Sequence, residues 1–221
     1  MRKGGWRCVC RYFIMQAERY VLTAAALGAA MSAYIWLVQG DDIQELLHTI
    51  PNAVIGVAFL LLFTTGISSA GYYYSIPISF GCLRKHAFWG NLLMNALMIT
   101  ECLLLYRLMG SLMHVEQPDI VFMISSFLIV EGISKFSGIA FIKWGKAVYI
   151  AITIGVAFIC GAIGFAVAYG VEFEKIWFLM FIDGKGRMQT MEWSILAVGS
   201  IIFAAANMGS WRVIRKFEVR T

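Results

Sequence analysis

The chain has 221 residues, of which 60% are hydrophobic and only 14% charged, and its mean hydropathy is +0.76. Soluble domains carry about one-quarter charged residues, so this composition excludes a water-soluble globular protein. No polar segment is long enough to fold separately, which leaves one membrane domain over residues 1–221. The net charge of +5 is explained below by its sidedness, without nucleic acid.

The N-terminal stretch "GWRCVCRYFIMQAERY" sets Trp6, Val9, Phe13 and Ile14 among Arg7, Arg11 and Arg19. That mixture predicts a helix over residues 1–19 lying along the inner interface, arginines toward lipid phosphates. The apolar run behind it is a full span followed by "QGDDIQ", so it reads as a retained anchor rather than a cleaved signal.

A bilayer core about 30 Å thick needs roughly 20 apolar residues in a helix. Six such runs follow in order: Tyr20–Val38, Asn52–Tyr74, Trp89–Met109, Ile120–Ile142, Ala147–Tyr169 and Trp193–Ser210. Backbone groups in lipid must be satisfied within the segment, and no alternating barrel pattern occurs, so each run predicts a helix. The expected fold is all-α: a six-span bundle over residues 20–210 and a tail over residues 211–221.

Charge orients the bundle. With the N-terminus inside, Arg2, Lys3, Arg7, Arg11, Arg19, Arg84, Lys85, Lys143, Lys146, Arg212, Arg215, Lys216 and Arg220 share one side, thirteen of the 18 basic residues. Lysine and arginine bias sets orientation, which predicts both termini on the cytoplasmic side.

Between the second and third spans stands "YYYSIPISFGCLRKHAFWG". Pro77 disfavours helix at Ile76 and ends or kinks the span, Gly81 allows the chain to reverse, and Arg84 and Lys85 project just past the membrane. An ordinary positive-inside anchor has no use for that proline and glycine punctuation, so the segment is expected to engage a partner.

Inside the spans, ionisable groups are costly and mark a bundle interior or a path. Glu131 and Lys135 stand four apart on one helix face. Glu101 lies about 12 Å deep and Glu131 about 16 Å deep at 1.5 Å per residue, so the three are expected to share a polar cluster, either pinning helices together or serving transport. Asn91, Asn95 and Asn207 read as interhelical hydrogen-bond residues, and the small residues of Leu27–Ala33 and Gly161–Gly170 as points of close helix approach, against a second copy or a related subunit.

Before the last span, "GVEFEKIWFLMFIDGKGRMQTMEW" repeats Phe173, Ile176, Trp177, Met180 and Phe181 at helical spacing. This predicts an amphipathic outer insertion seated by Trp177 and Phe181. The residues of an enzyme are missing: His48, His86 and His114 all lie in expected loops, there is no HExxH, and "IDGKGR" lacks a phosphate-cradling pattern. The five cysteines suggest neither a disulfide framework nor a metal site. No catalytic residue, metal or bound cofactor is expected of this chain.

The layout of a basic interfacial helix, six spans and an outer insertion before the last span resembles the membrane subunits of type-2 ATP-binding-cassette exporters. The residue-level likeness is concentrated in "PISFGCLRKHAFWG", Pro77 to Gly90, similar to small permeases of that class from Gram-positive bacteria. The resemblance implies that this segment, through Pro77, Gly81, Arg84, Lys85 and Phe88, docks into a cytoplasmic ATPase that binds the ATP. It further implies a second permease copy or a sister permease, and export as the activity. The competing class is a non-transport membrane protein, an immunity, sensor or assembly factor, that binds a partner through the same segment.

Overall fold

The computed structural model describes residues 5–39, 43–69, 78, 82–114, 119–145, 147, 150–151, 154–155 and 188–215. They are helical almost throughout, in five long helices: α1 Gly5–Gln39, α2 Ile43–Ser68, α3 Arg84–Leu112, α4 Ile120–Trp144 and α5 Met188–Arg215. All five are long and apolar enough to cross a bilayer. Leu22, Leu37 and Leu112 are about seven-tenths exposed, at 69%, 71% and 71%, as suits side chains facing lipid. This is a multi-pass, all-helical membrane protein.

Four helices differ from their expected bounds. Residues 5–19, expected as a separate interfacial helix, are the start of an uninterrupted α1 of 35 residues, about 52 Å long at 1.5 Å per residue. Their apolar stripe continues that of the span: Val9, Phe13, Ala17 and Ala24 are all buried. The second helix begins at Ile43, ahead of the expected Asn52, and carries Pro51 inside it. There the proline removes one main-chain hydrogen bond without ending the helix. The third begins at Arg84 rather than Trp89, so the basic triplet forms its first turn. The last begins at Met188 rather than Trp193 and runs to Arg215 rather than Ser210, so the end of the expected outer insertion is the start of α5. The rest of that insertion, with Trp177 and Phe181, and the expected fifth span lie outside the described residues apart from isolated positions between Ala147 and Gly155, as do Pro77 and Gly81.

Local signals set the ends of α4. Asp119 caps its start, its side chain accepting from the Val121 N–H at 2.7 Å, which satisfies one of the open donors of a helix N-terminus. Gly145 ends it at φ 82, a conformation that a residue without Cβ adopts readily.

The packing is close. In lipid the hydrophobic effect gives helices no reason to associate, so fit and polar contacts must hold them. A Cβ on Gly132 of α4 would lie 2.6 Å from Ile202 of α5, and one on Gly90 of α3 would collide with Phe13 of α1. Phe59 of α2 stacks on Phe127 of α4 at 4.3 Å. Gly28, in a small-residue stretch expected to allow close helix approach, lies against Val54 of α2.

Directions follow from these contacts. Gly199, Gly132 and Gly209 pair Ser125 with Gly199, Gly132 with Ile202 and Ile139 with Gly209, so α4 and α5 run parallel. The starts of α1 and α3 lie together, with Trp6 5.2 Å from His86. The end of α5 joins them through Arg84 and Arg215. One end of the bundle therefore gathers Arg7, Arg11, Arg84, Lys85, Lys143, Arg212 and Arg215, and is called the basic end below.

Candidate functional site

Among the described residues, polar and charged side chains gather at the basic end and at a buried joint within the membrane. At the basic end, Leu83 precedes α3 in an extended conformation without a side-chain cap, and its carbonyl accepts from His86 N at 2.8 Å and Ala87 N at 3.2 Å. The three basic residues that follow take three directions. Arg84 Nη1 donates to the main-chain oxygen of Arg215 at 2.6 Å. This places a guanidinium on the electronegative end of α5, where open carbonyls and the helix dipole favour a cation. His86 packs against Trp6. Lys85 is exposed and lines the clefts on both sides of the α3 start.

Phe88 turns inward, 5.2 Å from Trp211 of α5. With Ile78 it packs on the buried pair Ala87 and Ile214. Of the five residues expected to couple to an ATPase, two are thus occupied in joining α3 to α5, Lys85 is free to face outward, and Pro77 and Gly81 fall outside the described residues. Beside them, burial pushes the Cys82 thiol above its ordinary value, and nearby Cys8 pushes it the same way.

The buried joint is built on α4. Lys135 Nζ meets Glu131 Oε1 at 2.6 Å, with both side chains removed from the surface. The same carboxylate oxygen accepts from Asn95 Nδ2 of α3 at 2.6 Å. Lys135 also donates to Asn207 Oδ1 of α5 at 2.7 Å and lies 5.5 Å from the Phe203 ring centroid. Asn207 is itself oriented by donating to the Phe203 carbonyl at 2.8 Å. A buried charge is tolerable only when paired and hydrogen-bonded, and here the partners come from three helices. Glu131 Oε2 and Asn95 Oδ1 remain buried with no donor among the described residues, so each has room to accept a further hydrogen bond.

The structure thus brings Glu131 and Lys135 together, and Asn95 and Asn207 supply the remaining described partners. Glu101, expected as the third member, is only half-buried. It lies six residues beyond Asn95 on α3, roughly 9 Å further along the helix and on another face. The carboxamides were visible in the sequence as interhelical donors and acceptors; that they answer this ion pair was not.

Among the described residues no three His, Cys, Asp or Glu side chains come together as a metal site would require. Compared with protein-family models, curated proteins and solved structures, the chain shows no significant match to any of them.

Proposed function

We propose that this chain is the membrane subunit of an ATP-driven exporter of the type-2 ATP-binding-cassette class. In this reading it works as a pair with itself or a sister subunit, and a separate ATPase sits at the basic end on the cytoplasmic face. The observation that carries the reading is the knot at the start of α3, where Trp6 meets His86 and Arg84 meets Arg215. A partner pressing on Pro77–Phe88 would act on α1, α3 and α5 together, which is what transmitting ATPase closure into a bundle requires. Six spans are part of the proposal. Because α4 and α5 are parallel, the connection from Gly145 to Met188 has to return to the opposite end of the bundle.

Arg84 is held by α5, and that favours a second reading in which the segment serves the protein's own packing and binds a partner without transport. The two readings separate on purification with the candidate ATPase. Lys85→Glu alters the exposed cation and spares the Arg84 contact, and Gly81→Val strains the expected reversal without changing charge. Transport predicts that both variants insert normally and lose ATPase binding or uncouple its turnover. Full coupled activity in both would remove the docking role.

A further inference from the structure

A groove runs along α3 from the basic end into the membrane. Its first part is a cleft of about 700 Å³ between Trp6 of α1 and Lys85, His86, Trp89, Leu92 and Ala96 of α3. Its second part, about 260 Å³, shares Leu92 and Ala96 with the first and continues over Ile99 and Leu103, with Leu128 of α4 and Phe203 of α5 opposite. The groove exists because α3 packs extensively on α1 but only sparsely on α4 and α5. Leu92, Ala96, Ile99 and Leu103 stand at the spacing of one helix face.

Its chemistry is polarised along its length. The cation of Lys85 lies exposed at the mouth, and beside it His86 is held by the Trp6 ring. Trp6 and Trp89 flank them, 41% and 55% exposed, as the residue type that settles at the headgroup level. Further in, the walls are mostly apolar, and Glu131 Oε2 is the polar atom there without a donor among the described residues. The Thr100 hydroxyl donates to the Ala96 carbonyl at 2.8 Å, and the charge of Glu131 is met by Lys135. Lys85 to Ala96 is eleven residues of helix, about 16 Å, or half of a hydrocarbon core about 30 Å thick.

A cationic mouth at headgroup depth and an apolar wall one leaflet deep complement an anionic head joined to an acyl chain. We propose that this groove is a binding site for an anionic phospholipid of the leaflet at the basic end. Its phosphate sits at Lys85 and His86, and one chain lies along Leu92 and Ala96 with its end toward Ile99. The site does not depend on the transport reading, since nothing in it requires an ATPase.

Native mass spectrometry of the purified full chain in detergent, titrated with phosphatidylglycerol or phosphatidylcholine of equal chain length, tests the site. Phosphatidylglycerol should bind preferentially. Lys85→Gln should weaken that binding roughly fivefold, the size expected of one interfacial lysine, and leave phosphatidylcholine unchanged. Ala96→Trp should fill the shared wall and weaken both lipids, while Arg11→Gln, an exposed cation outside the groove, should change neither. Lys85, Ala96 and Arg11 are all exposed, so folding is not at stake. Equal binding of the two lipids, or equal losses in Lys85→Gln and Arg11→Gln, would overturn the proposal in favour of diffuse attraction. Displacement of the lipid by glycerol phosphate alone at comparable concentration would overturn the role of the chain.

Discussion

Arg84 and Arg215, 131 positions apart, meet through a guanidinium and a main-chain carbonyl at 2.6 Å. Two like charges are not forced together by this contact, because the Arg215 guanidinium lies over the Trp211 ring at 5.1 Å. Arg84 thereby closes the end of α5 from another helix, so the start of α3 and the end of α5 are one mechanical unit.

Arg84→Ala should therefore destabilise the protein by about 1 kcal/mol, the scale of a charge at a helix terminus combined with a lost charged hydrogen bond at an exposed site. Arg84→Lys should recover part of the loss, keeping the charge but not the guanidinium fork. Thermal unfolding in a fixed detergent measures both. An unchanged midpoint in Arg84→Ala would show that the α5 end is satisfied without it.

The buried joint predicts a non-additive pattern. Lys135→Met leaves Glu131 uncompensated and should cost about 3–5 kcal/mol, whereas Glu131→Gln combined with Lys135→Met should recover most of that loss. Stability measured across the full double-mutant cycle decides it. Additive losses would mean that the two side chains act separately.

Much of this architecture is written in the sequence because lipid allows few solutions: an apolar run of sufficient length has to be a helix. The Glu131–Lys135 contact was legible for the same local reason, since four residues is one turn. Glu101 was misplaced because counting from a span's end gives depth but not the face a side chain takes. A change from charged to apolar residues near Tyr20 suggested a helix boundary, but main-chain hydrogen bonding continues through it and α1 does not break. The target of Arg84 had no sequence signal at all, being a backbone oxygen whose position depends on the fold.

Glycine positions separate close approach from simple helix propensity. Gly132→Ala should push α4 from α5, because the new Cβ would lie 2.6 Å from Ile202, with a cost of about 1–3 kcal/mol for overpacking. Gly56, also helical, has nothing within 4 Å of such an atom, and Gly56→Ala should be neutral or stabilising by up to about 1 kcal/mol. Unfolding midpoints of the pair should move in opposite directions or differ by that margin.

Cys82 supplies a test of the basic end that needs no partner. Its thiol is raised above the ordinary value of 9.0, first by burial and then by the neighbouring Cys8. A raised value means less thiolate at neutral pH, and thiolate is the nucleophile. Alkylation of Cys82 should thus be slow near pH 7 and accelerate only as pH rises past 9, measured by mass spectrometry of the modified peptide. Cys8→Ser removes the second cause and leaves the first, so the rate profile of Cys82 should shift to lower pH without reaching that of an exposed thiol. If the profile does not move, the two thiols are not neighbours and the approach of the α1 start to the α3 start is wrong. The same pair reads orientation. With the basic end in the cytoplasm, a membrane-impermeant reagent on intact cells should leave Cys8 and Cys82 unmodified at any tolerated pH, and modify Cys8 once the membrane is opened. Labelling of either from outside would reverse the bundle and place the proposed lipid site in the outer leaflet.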